Sequence, residues 1–249
     1  MLADSHVHLD RYPAAVQEEM IGRAAAAGVT RMLNVGADLA TSEAAARLAM
    51  GYEGVIAAAG VHPKWLHLAG TGALEQIEAL VLSGRVAAIG EVGLEYGEGL
   101  AEAEAQQRFF AGCLDLATRT GVGISLHIVD AHQDALRLLA QRAPVGAVVH
   151  YFQGDAALAG RYLEVGCCIS VGKPVTRLEN GALRQAIREI SLDRLLLETD
   201  TYPLPGRTTE PADVADICRA VADLRDVGVD AVAAATSINF CRLFDPTGL

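Results

Sequence analysis

Eight times along this 249-residue chain, a short apolar and often β-branched run gives way to a stretch with helical spacing. The runs are LADSHVHL, RMLNVGA, VIAAAGVH, VAAIGEVGL, GISLHIV, GAVVHYF, CCISVG and RLLLETD. Between them lie segments such as EAQQRFFAGCLDLATRT and GALRQAIREI, and AVAAATSINFCRLF reads as a last helix. The pattern repeats; the sequence does not. Strands that are apolar throughout need cover on both faces, the condition of a parallel sheet wrapped by helices. Eight such units imply closure into an α/β (β/α)8 TIM barrel. An open, doubly wound sheet is the alternative. The barrel is preferred because polar residues follow the runs where barrel chemistry is sited. The length fits one barrel, so residues 1–249 are expected to form a single domain.

The polar residues carry the chemical argument. The first run contains Asp4-Ser5-His6-Val7-His8. Residues two apart on a strand share a side, so His6 and His8 can chelate one ion. A lone His-x-His is weak evidence, because histidines at strand ends are often merely hydrogen-bonded. The fourth run is expected to end at Glu91, the fifth at His127, the sixth at His150 and the eighth at Asp200. Taken singly, Glu91 could cap a helix, His150 could be a satisfied core histidine, and Asp200 could be an N-cap. Taken together they are a ring of polar groups at the edge of a core, which left unpaired would cost several kcal/mol. Bound metal removes that cost. Imidazole and carboxylate without thiolate suit Zn, Mn, Fe or, less well, Mg. A carboxylate shared by two such ions would allow a pair ~3.5–4 Å apart, able to activate a water and clamp a transferring group.

Composition narrows the setting. Although 51% of the residues are hydrophobic, no run approaches the ~20 apolar residues of a membrane span. MLADSHVHLD has no basic segment followed by an apolar one, so no signal peptide is expected and a cytoplasmic location is the default. The five Cys have no CxxC spacing and are expected to be buried or free thiols: Cys113, Cys218 and Cys241 in helices, Cys167 and Cys168 in a strand. The net charge is −11 and the Lys and Arg residues are scattered. A nucleic-acid substrate would therefore need local metal ions to offset phosphate repulsion.

The blocks DSHVHLD, GVHP, IGEVGLEY, LHIVDA, VVHYFQG, LLLETD and SINFCRLF resemble, in this order, the motifs of TatD-like metal-dependent deoxyribonucleases, which are amidohydrolase-type barrels. The resemblance runs from about the fourth residue to the last helix. It implies two divalent metal ions (Zn, Mn, Mg or Fe). His6, His8 and Asp200 would hold one, His127 and His150 the other, and Glu91 would bridge them. Asp200 would also orient or deprotonate the attacking water. His62, in GVHP, matches a position beside the site, where it would contact substrate or stabilise the leaving group. The plainer reading is a loop histidine held by Pro63.

The chain departs from the family in places. Val129 stands where the family commonly has Arg, a natural phosphate fork. Glu95 stands where Asp is usual. TYPLPGRTTEP after Asp200 is short and rearranged, with Arg207 filling the family's basic position as a substrate contact and Glu210 its Glu-Pro position.

The resemblance implies phosphodiester hydrolysis, with DNA as the partner, at ends or in short single strands. Val129 and the acidic charge keep open a hydrolase of a small ester, lactone, amide or phosphoester. A barrel that serves only as a subunit or binding module would be expected to lose a ligand, and none is lost. There is no G-x-S-x-G elbow for a serine nucleophile. A monomer that touches no membrane is expected.

Overall fold

The computed structural model describes residues 1–245 apart from 143, 145 and 207. Strands β1 (Leu2–Val7), β2 (Val29–Val35), β3 (Val55–Ala59), β4 (Ala88–Glu95), β5 (Gly123–Val129), β6 (Ala147–Val149), β7 (Cys168–Val171) and β8 (Leu195–Leu197) run in chain order through one sheet, every neighbouring pair parallel. Helices α1 (Ala14–Ala26), α2 (Leu39–Gly51), α3 (Ala73–Leu82), α4 (Ala103–Thr120), α5 (His132–Arg142), α6 (Ala156–Glu164), α7 (Gly181–Glu189) and α8 (Val214–Arg225) each follow a strand, and α9 (Val229–Phe244) ends the chain. The seam is closed between β1 and the segment after β8. Val7 bridges Thr201, and the Asp200 N–H donates to the His6 carbonyl at 3.0 Å. The expected (β/α)8 barrel is the observed one.

The helices form for local reasons. In α4 the buried residues Phe110, Cys113, Leu114 and Ala117 recur with the spacing of one helical face, and Gly121 ends the helix with φ 71°. In α2, Asp38 accepts the Thr41 N–H while the Thr41 hydroxyl takes up the Asp38 N–H, a capping box. Among the described residues, no single helix is long and apolar enough to cross a membrane. All five Cys are buried and free; Cys113, Cys218 and Cys241 lie in helices and Cys168 in β7 as expected, while Cys167 stands one residue before the strand. Burial pushes the Cys167 thiol up to about 12 and the Cys218 thiol to about 11.

Two apolar clusters make the core. The larger lies between strands and helices. The smaller draws on every strand except β5, through residues such as Ala3, Leu33, Ala58, Val148 and Leu196. Of the helices only α9 joins it, through Phe240, Cys241 and Phe244. This cluster fills the barrel, and α9 closes the end opposite the chemistry. Strand β5 contributes Gly123 there, because a Cβ would meet the Leu243 carbonyl oxygen and the Phe244 ring. A Gly123→Ala variant is expected to lose ~1–3 kcal/mol of stability through overpacking, read from urea unfolding. An unchanged midpoint would show that α9 yields at no cost.

Strand ends differ from those expected. β6 stops at Val149 and β8 at Leu197, short of His150 and Asp200. β4 continues to Glu95, so Glu91 lies mid-strand, and β5 continues two residues past His127. The reason is that β4 and β5 stay paired from Val92↔Leu126 to Glu95↔Val129. Gly93 allows this approach: its φ is 149°, and a Cβ would strike the His127 carbonyl.

Candidate metal centre

Each polar residue reaches the barrel mouth by a different local device. His6 lies in β1 and His8 just past it. Glu91 sits in the register shift between Ile89 and Val92, an irregularity that re-aims its side chain. His127 projects from β5, and His150 follows β6 directly. Asp200 stands three residues beyond β8 with φ 50°, tied by its N–H to β1.

The centre of the cluster is Glu91, only 4% exposed. Its Oε2 faces His6 Nε2 at 3.6 Å and His8 Nε2 at 3.5 Å. Its Oε1 faces His127 Nδ1 and His150 Nε2, each at 2.9 Å. The two oxygens thus divide four imidazoles into pairs. Burial alone would raise the Glu91 pKa, but His62 and His150 outweigh it and hold the carboxyl well below its usual range.

The proton positions follow from the outer contacts. His8 Nδ1 donates to the Val35 carbonyl at 2.7 Å. Burial, helped by neighbouring His6, lowers its pKa to about 3, so the ring is neutral. Its Nε2 therefore turns a lone pair toward His6 Nε2 at 3.2 Å and Asp200 Oδ1 at 3.7 Å. Across the site, His127 Nε2 lies 3.2 Å from Glu95 Oε2, and His150 Nδ1 lies 3.4 Å from Glu198 Oε1. A carboxylate at the outer nitrogen holds the proton there and leaves the inner nitrogen as donor. The hydrogen bond from His127 lowers the Glu95 pKa to about 2.

Burial keeps His6 and His8 neutral; at His127 and His150 burial acts the same way but is outweighed by Glu91, with Glu95 and Glu198 behind it, so their pKa values are raised. A pocket that favours positive charge among nitrogen and oxygen donors fits a divalent metal, whose binding would displace those protons. Among the described residues, three overlapping groups have donor atoms all within 4.8 Å of one another: His6–Glu91–His150, His6–His8–Asp200 and His62–Glu91–His127.

His62 differs in kind. Its Nδ1 accepts the Lys64 N–H at 3.0 Å, so in the neutral ring the proton is on Nε2, 3.4 Å from Glu91 Oε1. In that tautomer its Nε2–H faces the cavity as a hydrogen-bond donor.

Several supporting residues had been given no part in the site. Asp4 braces the seam, accepting the Thr199 N–H at 3.0 Å and the Thr199 hydroxyl at 2.6 Å. Ser125 lies 3.1 Å from His6 Nδ1. Glu198 faces His150 and accepts the Tyr151 N–H at 2.6 Å. A charged residue inside an apolar run, with no partner nearby in sequence, was the available signal for Asp4 and Glu198. Arg207 lies outside the described residues. Glu210 pairs with Arg23 at 2.7 Å.

The mouth holds a cavity of about 410 Å³, lined by this cluster together with Arg11, Lys64, Trp65, Val129 and Tyr202. A parallel barrel with these donors at its C-terminal mouth is the frame of a metal-dependent hydrolase. Residues 3–245 match the family described as TatD related DNase. The chain belongs to that family.

It is 32% identical over 253 residues to a metal-dependent hydrolase, YabD, of Bacillus subtilis, covering 98% of this chain and 99% of that one. It is 35% identical over 240 residues to the 3'-5' ssDNA/RNA exonuclease TatD of Klebsiella pneumoniae, covering 91% of each. The crystal structure of the TatD homologue YjjV from Escherichia coli K12 superposes with a TM-score of 0.90 at 29% identity, covering 98% of each chain.

Proposed function

We propose that this chain hydrolyses phosphodiester bonds in single-stranded nucleic acid, DNA foremost, at a centre of two divalent ions. The observation that carries the reading is Glu91, whose two oxygens serve separate histidine pairs. His6, His8 and Asp200 would hold one ion, His127 and His150 the other, with Glu91 between them. Bound there, the ions would supply Lewis-acid activation of water and neutralise charge on the phosphoryl group.

The chain's own groups do the rest. Asp200, 13% exposed at the mouth, orients the attacking water and accepts its proton. His62 offers its Nε2–H to a phosphate oxygen or to the leaving oxygen. Glu95 and Glu198 keep His127 and His150 in the right tautomer. Val129, 37% exposed at the mouth, removes the usual arginine fork, and Arg11 and Lys64 are the cations that line the cavity among the described residues. The five buried thiols suit a reducing cytoplasm, and the site is complete within one chain, as a monomer requires.

The first experiment is metal analysis of the purified protein, followed by turnover of fluorescent single-stranded DNA before and after EDTA. The expected result is about two equivalents of metal and cleavage that EDTA abolishes and added metal restores. Metal without DNA cleavage would redirect the search to small esters and phosphoesters. No metal after reconstitution would sink the reading.

A further inference from the structure

Beside the catalytic cavity lies a second one of about 560 Å³ that the metal chemistry leaves unused. Arg11 and Trp65 line both. The first presents imidazoles and carboxylates; the second presents Leu39, Val61, Leu68 and the indole of Trp65. Besides Arg11, its polar side chains are Asp38 and Thr41, already bonded to each other in the α2 capping box.

Trp65 is the only tryptophan of the chain. It is 39% exposed, and Leu68 in the same turn is 72% exposed. Apolar side chains gathered at a cavity edge mark binding, whereas scattered ones do not. Its backbone is also well anchored. Trp65 belongs to the 3-10 turn Pro63–Leu68, which starts at buried Pro63, and its backbone N–H donates to the His62 carbonyl at 2.9 Å. The turn therefore sets the indole one short step from His62, whose imidazole faces Glu91. Lys64 Nζ stands 5.8 Å from the ring centroid, while Arg11 is exposed, with Asp10 and His8 within its electrostatic reach.

We propose that this second cavity receives one unpaired nucleobase, stacked on Trp65. Arg11, at the boundary, takes the phosphate linking that nucleotide to the one being cleaved. The inference rests on the nuclease reading and adds a base subsite to it. A chain of net charge −11 has little general attraction for a phosphate backbone. Stacking supplies affinity that charge does not, tolerates any sequence, and requires the base to be out of a duplex. Two adjoining cavities of opposite chemistry match the two halves of a nucleotide: a phosphate over the cluster and a base over the indole.

The test compares the metal-loaded wild type, Trp65→Ala and Trp65→Phe on two labelled tetranucleotides. One carries thymines; the other carries tetrahydrofuran abasic residues on the same backbone. Wild type is expected to favour the thymine substrate by about tenfold in kcat/KM, the scale of one base–aromatic stack. In Trp65→Ala that ratio falls to near one, chiefly through KM, and Trp65→Phe restores most of it. A ratio that survives in Trp65→Ala overturns the proposal. Because Trp65 is the sole tryptophan, its fluorescence is a second readout. Phosphorothioate-linked thymidine tetramer is expected to quench it and the abasic tetramer to leave it unchanged; equal effects overturn the proposal. If loaded wild type cleaves neither substrate, the nuclease reading itself has failed and the subsite falls with it.

Discussion

Glu91→Gln is expected to lower kcat/KM by about a thousandfold or more, the scale of several kcal/mol of lost charge stabilisation at a metal centre. The substitution keeps the volume of a side chain 4% exposed in β4 and removes only its charge. Both of its oxygens face histidine nitrogens, at 2.9 Å on one side and 3.5–3.6 Å on the other. An amide can present one oxygen and must turn its NH₂ toward the other pair, so one half of the site gains a hydrogen donor where a ligand stood. Metal content should fall from about two equivalents to one or fewer, while the far-ultraviolet circular dichroism stays that of the wild type. A variant that keeps both ions, or turns over within tenfold of wild type, would remove Glu91 from its bridging place.

Phe240→Ala is expected to cost ~3–5 kcal/mol, the usual loss for a fully buried aromatic ring. The ring is 0% exposed and meets Phe244 edge-on at 5.6 Å between centroids. Its other neighbours are the strand residues that fill the barrel, and α9 is the one helix that joins them. For a chain of this length that loss lowers the melting temperature by roughly 6–20 °C. Turnover well below the transition should persist, because the donors sit at the other end. A loss under about 1 kcal/mol would show that α9 merely lies against the barrel; loss of activity without loss of stability would show that the two ends are coupled.

The strands were legible because each carries a short apolar or β-branched run, and the candidate metal donors because each is a polar residue set into or just after such a run. The same signal misled at Glu91 and His127. Both looked like strand ends, yet β4 and β5 continue past them, since Gly93 lets the two backbones approach and a bulge redirects Glu91. Asp4 and Glu198 were hidden for a related reason. One-dimensional spacing marks a charge at the core edge without saying whether it holds a metal, a histidine or the backbone across the seam. His62 was ambiguous until the Lys64 N–H was seen to occupy its Nδ1. The cavity beside Trp65 arises from the turns that follow β1 and β3 and from the start of α2, segments distant in sequence, and no local pattern announces it.

The apolar filling of the barrel and the helix at its far end give the molecule a single door. Among the described residues, that filling and α9 stand between the mouth and the opposite face. A polymer engaged at the cluster is therefore expected to present an end or a sharp bend, and each fragment to depart by the way it came. For the proposed substrate, this architecture predicts repeated visits, one bond at a time, with short products competing for the entrance they have just left.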